Sequence, residues 1–270
     1  MGPFFIEHVS DFGALVESPY VVYIIRTDKM STLFDCKAGG KANLMKQWFL
    51  IMASVLPLVI GCGKNPTQPL PKTGTMSDID GNVYHYVTIG TQTWMAENLK
   101  TTRLNDGTTI PLVTVDTLWA ALTTPGFCWY NDSDSYKATY GALYNWYAVN
   151  TGKLAPKGWH VPTDSEWTVL TTFLGGTKMA GGKLKDTGTA YWDSPNTGAT
   201  DEYGFKALPG GCRIFLGSFW YAGTFCYLWS ATAYDSTSAW DRVPVNNDTY
   251  VGVYFNLYQY GIGVRCVRDN

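Results

Sequence analysis

Charged residues are scarce in this chain of 270 residues, at 16% of the total, against roughly 25% in ordinary soluble domains. The net charge is −2, and the basic residues form no cluster. Binding of DNA or RNA rests on neutralising phosphates with Lys and Arg, so nucleic acid is not expected as a partner. Histidine is rarer still: His8, His85 and His160 are the only three, and they are scattered. A His-built metal centre or a Ser-His-Asp triad is therefore not expected. None of the six cysteines shows the C-x-x-C spacing of a metal site. The apolar run at 48–60 falls short of the ~18 residues that a membrane-spanning helix needs. One absence is regional. From position 212 to the end there is no Lys, Glu, Met or His. Lysine is common before it, at Lys153, Lys157, Lys178, Lys183, Lys185 and Lys206.

What is present is apolar and aromatic. Hydrophobic residues make up 46% of the chain and aromatics 15%, with 11 Trp and 18 Tyr. That is enough to bury a core, and with Gly, Ser and Thr it fits an exported protein rich in strands and loops. The stretch "MKQWFLIMASVLPLVIGCGKNPTQPLPKTG" begins at Met45. Lys46 supplies a short basic start, and the apolar run that follows has the length of a signal-peptide core. Val59-Ile60-Gly61-Cys62 resembles the lipobox of bacterial lipoproteins, which makes Cys62 the lipidated mature N-terminus. Residues 45–61 are then the signal peptide, and 1–44 read as upstream sequence outside the mature protein. A proline-bearing tether over 62–77 leads to a single domain over 78–270. Export permits disulfides, and Cys128, Cys212, Cys226 and Cys266 allow three full pairings.

Inside that domain the local signals are mixed. Asp80-Gly81 predicts a hairpin turn between strands. Leu143, Trp146, Tyr147 and Asn150 recur as on one helix face, predicting a helix within 140–150. Thr163 and Glu166 form a capping box before Trp167, Leu170, Phe173 and Leu174, and Gly175-Gly176 closes that helix. Beyond Gly176 the chain reads as turns and short strands, ending in the strand "IGVRCV". Two central helices with strands at both ends predict an α+β fold whose terminal strands pair.

Four segments carry a family resemblance: "DIDGNVYHYVTIGTQTWMAENLKT", "YGALYNWYAVNTGKLAPKGWHVPTDSEWTVLTTFLGG", "SPNTGATDEYGFKALPGG" and "GVRCVRD". Together they resemble the Fibrobacter succinogenes major paralogous domain. The resemblance implies a C-type-lectin-like fold with long C-terminal loops, on the side of that fold that includes formylglycine-generating enzymes. "GWHVPTDSEW" is similar to the helix start "LPTEAEWE" of those enzymes. One departure is Ala155, where many relatives have cysteine, so a disulfide from that position is absent here.

Three functions follow, and they differ in kind. Formylglycine chemistry needs reactive cysteines, for which only Cys212 and Cys226 lie in the right part of the chain. Neither stands where the motif of those enzymes can be matched residue by residue, so no enzyme is expected. Asp186, Asp193, Asp201 and Glu202 sit among glycines as turn residues, not as an acid/base pair. No cofactor is called for. The one metal reading is a structural calcium on Asp193, Asn196 or Asp201, since calcium takes loop oxygens. Trp146, Trp159, Trp167, Trp192 and Trp229 read as core.

The second function is recognition through a diversified face over 212–262. Randomising the adenines of an AAC-type codon reaches Asn, Asp, Ser, Thr, Tyr, Phe, Cys, Leu, Ile, Val, Ala, Gly and Pro, never Lys, Glu, Met, Gln or Trp. Diversity-generating retroelements work this way on C-type-lectin-like targets, many of them surface lipoproteins. Leu208-Pro209-Gly210-Gly211, Arg213, Gly217, Gly223, Trp229-Ser230, Trp240, Arg242 and Gly263-Val264-Arg265-Cys266 read as a fixed frame. Between them the candidate contact residues are Ile214, Phe215, Leu216, Ser218, Trp220, Tyr221, Thr224, Phe225, Cys226, Tyr234, Asp235, Thr237, Ser238, Asp241, Val243, Asn246, Asn247, Asp248, Tyr250, Tyr254, Asn256, Tyr258 and Tyr260. Tyr with Ser, Asn and Gly is paratope chemistry. The expected partner is a protein or glycan on a cell, phage or host surface, with the membrane met only through the lipid anchor. The third function is an undiversified carbohydrate-binding or adhesion module that stacks sugars on Trp220, Tyr221 and Tyr234.

Overall fold

The computed structural model describes residues 72–269. The upstream segment, the signal peptide and lipidation at Cys62 lie outside the described residues. Three antiparallel strands open the domain: β1 (Thr73–Ser77), β2 (Val83–Ile89) and β3 (Gln92–Met95). The turn read at Asp80-Gly81 joins β1 to β2. Asp78 organises it by accepting from the backbone N–H groups of Asp80 and Asn82 and from the Tyr84 hydroxyl.

The middle of the chain departs from the sequence reading. It contains α1 (Asp116–Ala120), β4 (Phe127–Cys128), α2 (Lys137–Tyr140), β5 (Leu143–Tyr144), α3 (Trp146–Val149) and β6 (Trp159–His160). The single helix expected within 140–150 is broken into the end of α2, a strand and one helical turn. Gly141 breaks it: its φ is +72°, and a Cβ there would strike Leu99 O. Asn145 then restarts the chain as α3, its Oδ1 accepting from Ala148 N at 3.1 Å. Residues 141–146 are buried throughout, so their apolar spacing reflects burial on all sides and not one helix face.

The capping box is present. In α4 (Asp164–Phe173), Thr163 Oγ1 accepts from Glu166 N, and Glu166 Oε2 accepts from Thr163 N at 2.8 Å. After the positive-φ Gly175 and Gly176 the chain forms a second helix, α5 (Thr177–Leu184), where turns and strands were expected. Gly181 and Gly182 hide it, because glycine disfavours helix by about 1 kcal/mol. Both are required by packing: a Cβ would run into the carbonyl oxygens of Tyr250 and Gly198.

The C-terminal region, expected as long loops, is mostly antiparallel strand. β7 (Gly210–Arg213) pairs with β8 (Phe219–Ala222); β9 (Leu228–Ala233), β10 (Ser238–Pro244) and β11 (Val251–Leu257) form a sheet ordered β11-β10-β9. The last strand, β12 (Val267–Arg268), inserts between β3 and β6, giving a five-stranded sheet ordered β1-β2-β3-β12-β6. The C-terminal strand therefore pairs with the N-terminal hairpin through β3, not with β1, and the fold is α+β with mainly antiparallel strands.

All five tryptophans read as core are buried. Four of their indole N–H groups donate to main-chain carbonyls: Trp146 to Ser230, Trp167 to Trp229, Trp192 to Ala207 and Trp229 to Tyr144. A buried indole N–H needs such a partner, so each ring also fixes a register between distant segments.

His160 bridges Glu166 of α4, at 2.7 Å, and Asp269 after β12, at 2.6 Å. Burial lowers its pKa, but the hydrogen bonds to Asp269 and Glu166 outweigh this and leave it raised. The bridge therefore stabilises the fold below the ordinary histidine range and is lost as pH rises through the raised value. The side chain is partly exposed, which limits the contribution to about 1 kcal/mol. His160→Gln is expected to lower the urea midpoint near pH 5.5 and to leave it nearly unchanged near pH 8.5.

Candidate ligand-binding face

The fixed frame is built from buried arginines. Arg213, at the end of β7, is fully buried. Its Nε donates to Gly217 O at 2.7 Å, and its terminal nitrogens reach Val113 O, Thr114 O and Asp116 Oδ1. The guanidinium lies between the Trp119 and Phe219 rings, 4.7 and 4.8 Å from their centroids. One side chain thus ties the 214–217 turn to the segment before α1. Gly217 must be glycine, with φ +101° and Asp116 occupying the space a Cβ would need. Arg242 pairs with Asp164 Oδ1 of α4 at 2.6 Å. Sequence reading missed Lys185, which is buried and donates to the carbonyls of Thr197, Val245 and Asp248 at 2.7–2.9 Å. It holds the β10–β11 turn, and a lysine beside Lys183 in a glycine-bearing segment gives no sign of that role.

On this frame the aromatic residues form two groups. Tyr221, at the tip of β8, adopts the left-handed φ of +69°. Its carbonyl accepts from Thr224 N and Phe225 N, closing a tight turn. Its ring meets Trp220, Phe225 and Tyr227 at centroid distances of 5.8, 4.8 and 6.3 Å. Trp220 and Tyr221 remain 49% and 46% exposed. The second group is Tyr234 stacked on Phe255 at 3.9 Å, with Trp240 edge-on to both. Phe255 was absent from the candidate residues, and its position opposite Trp240 in the β10–β11 register places it there.

The candidate contact residues fall into three environments. Phe215, Leu216, Ser218, Trp220, Tyr221, Tyr234, Asp235, Thr237, Asn247, Asp248 and Tyr254 are exposed. Ile214, Thr224, Phe225, Tyr250, Asn256, Tyr258 and Tyr260 are half-buried. Cys226, Ser238, Val243 and Asn246 are buried, which corrects their reading as contact residues, and Asp241 is buried beneath the face, not on it. Three of these five, Ser238, Asp241 and Val243, lie on β10, which packs on both faces, so alternation along it does not mark an outer side. Asn246 is turned inward to the carbonyls of Asp193 and Ser194.

Among the described residues the four cysteines, Cys128, Cys212, Cys226 and Cys266, are buried and unbridged. Burial pushes the thiols of Cys128, Cys212 and Cys226 up to about 12, and that of Cys266 higher. An activated nucleophile is shifted the other way. Of the loop residues considered for calcium, Asp193 accepts from Thr224 Oγ1 and Asp201 from Lys206 N, while Asn196 donates through Nδ2 to two carbonyls and its Oδ1 is buried without a hydrogen-bond partner. Among the described residues no three His, Cys, Asp or Glu side chains converge as a metal site. No described helix is long and apolar enough to cross a membrane.

The geometry is that of an α+β domain presenting aromatic side chains on a rigid antiparallel frame. The chain belongs to the family described as the Fibrobacter succinogenes major domain, whose model matches residues 87–268. Neither a curated protein nor a solved structure matches it.

Proposed function

We propose that this chain is an exported lipoprotein, anchored through Cys62 at the outer membrane or cell surface, that binds a macromolecule on another cell, a phage or a host. The scaffold is read as C-type-lectin-like and the contact face as a retroelement-diversified one. The observation that carries the reading is the pairing of exposed rings with a buried frame. Trp220, Tyr221, Tyr234 and Tyr254 stand out in a region without Lys or Glu, while Arg213, Arg242 and Trp229 beneath them are packed and hydrogen-bonded. Rigid aromatic area at low entropic cost is what a recognition face needs. The raised thiol pKa values favour binding over cysteine chemistry.

A library randomised at Phe215, Leu216, Ser218, Tyr221, Tyr234 and Tyr254 is expected to fold as often as the parent. One randomised at Cys226, Ser238 and Val243 is expected to lose most folded members, because small-to-large or polar changes in a core cost several kcal/mol. Circular dichroism and protease resistance of sampled clones check this, and equal tolerance in the two libraries sinks the division into face and frame. A near-copy of the 212–268 codons, differing mainly at adenines and beside a reverse-transcriptase gene, tests diversification itself. The flat Tyr234–Phe255 stack favours a second reading, glycan binding by ring stacking. Glycan-array binding lost in Tyr234→Ala but kept in Tyr221→Ala would select it.

A further inference from the structure

Between β8 and β11 lies a cleft of about 310 Å³. Trp220, Tyr221, Tyr227, Tyr260, Asn256 and Cys212 line it. Behind this lining sits Asp241, 0% exposed. Asn256 links the two: its Nδ2 donates to Asp241 Oδ2 at 2.5 Å. The strand register supports the placement, since Asp241 lies opposite Tyr254, and Asn256 two residues on shares that face of the sheet. The other carboxylate oxygen, Oδ1, is buried without a hydrogen-bond partner. Among the described residues no cation forms an ion pair with Asp241. Arg242, its neighbour, turns to Asp164. Arg213 and Arg265 are committed to carbonyls elsewhere in the frame. From position 212 onward the chain contains no lysine.

A buried carboxylate without a counterion is costly, and natural proteins pair such groups. A cleft walled by aromatic faces attracts organic cations, because a ring presents its negative face to them. We infer that this cleft receives the guanidinium or ammonium head of an Arg or Lys side chain on a protein partner, with Trp220, Tyr221, Tyr227 and Tyr260 as walls and Asp241 as the countercharge. The occupant follows from charge complementarity: the site has the anion and the rings and lacks the cation. This rests on the proposed recognition function and specifies the chemistry of its ligand.

The groups around Asp241 set how such binding responds to pH. Burial raises its pKa to about 7, against the lowering effects of Asn256, Arg242 and the Tyr254 backbone N–H. Cys212 of β7 and Tyr227 and Tyr260 of the cleft also face its charge, and all three have raised pKa values and stay neutral. A cation selects the ionised carboxylate, so affinity should rise with pH through neutrality.

The test uses the exported domain and N-acetyl-arginine amide as probe, followed by ¹H–¹⁵N NMR at the Trp220 indole and the Asn256 side chain. Saturable shifts are expected near pH 8, with affinity about tenfold or more weaker near pH 5.5 as the competent carboxylate is depleted. Asp241→Asn keeps the acceptor for Asn256 and should abolish the pH dependence and most of the binding. Tyr227→Leu keeps the carboxylate and should weaken binding severalfold. N-acetyl-citrulline amide, uncharged but of similar shape, should not bind. Equal binding of citrulline, unchanged binding in Asp241→Asn, or no saturable shift with the arginine probe would each overturn the inference. A macromolecular ligand that needs Trp220 and Tyr221 but ignores Asp241 would overturn it while leaving the proposed function standing.

Discussion

Arg265→Met is expected to destabilise the domain by about 3–5 kcal/mol, the range for breaking a buried charged network. The side chain is buried and has no carboxylate partner within hydrogen-bond reach. Its charge is instead spread over acceptors: Nε donates to Asn98 Oδ1 at 2.9 Å, and the terminal nitrogens to the carbonyls of Met95, Phe205 and Lys206. The guanidinium also lies 4.4 Å from the Phe205 ring centroid. These contacts join three parts of the chain: the end of β3, the loop before β7 and the segment leading to β12. Methionine fills most of the volume and supplies no donor. At least three acceptors are then left unsatisfied, each costing about 1–3 kcal/mol. Arg265→Lys should recover little, because one ammonium cannot reach all four acceptors from a single fork. Urea unfolding of both variants measures the loss. A midpoint within experimental error of the parent would show that the guanidinium cage is dispensable.

The same residue illustrates what the sequence makes legible. Arg265 reads as frame from the motif it belongs to, but its cage of carbonyls comes from segments far away in sequence. Signals that live within one turn transfer well: the Thr163–Glu166 capping box and the Asp80-Gly81 turn are both where they were read. The expected pairing of the ends is met only in part: the last strand, β12, pairs with β3 of the opening hairpin and with β6, and β1 stays at the edge. Signals that depend on packing do not transfer. Gly181 and Gly182 read as turn residues, yet they sit in α5 because the β10–β11 turn presses on that helix. The 140–150 periodicity misleads because the segment is buried all round. The site divides in the same way. An excess of rings is visible in the sequence, while their split into exposed Trp220 and Tyr221 and buried Trp229 depends on the tertiary fold. Lys185 and Asp241 are the extreme cases. Charged residues in loops or edge-like strands ordinarily face water, and no local pattern announces that these two are interior.

For Asp241 the consequence is measurable as a pH-dependent stability. Its carboxyl is raised from an ordinary value of 3.8 to about 7 in the folded state, chiefly by burial. A group whose native pKa exceeds its unfolded pKa binds more protons when folded. Stability is therefore highest while both states are protonated, and it falls as pH rises from about 4 to about 7. Above that the folded protein carries an ionised, partly unpartnered carboxylate in its interior. A shift of this size corresponds to about 4 kcal/mol as an upper bound. Asparagine is nearly isosteric, and its amide oxygen can still accept from Asn256. Asp241→Asn is thus expected to stabilise the domain by about 2–4 kcal/mol near pH 8 and to change little near pH 4. His160 also loses stabilisation as pH rises, but it does so in parent and variant alike, so the difference between them isolates Asp241. Denaturant midpoints taken at intervals from about pH 4 to pH 8 should give two curves that diverge steadily. Parallel curves would mean that Asp241 is ionised and satisfied throughout. A stabilised variant that no longer holds cations would show that the chain keeps a destabilising carboxylate under its aromatic cleft because the cleft uses it.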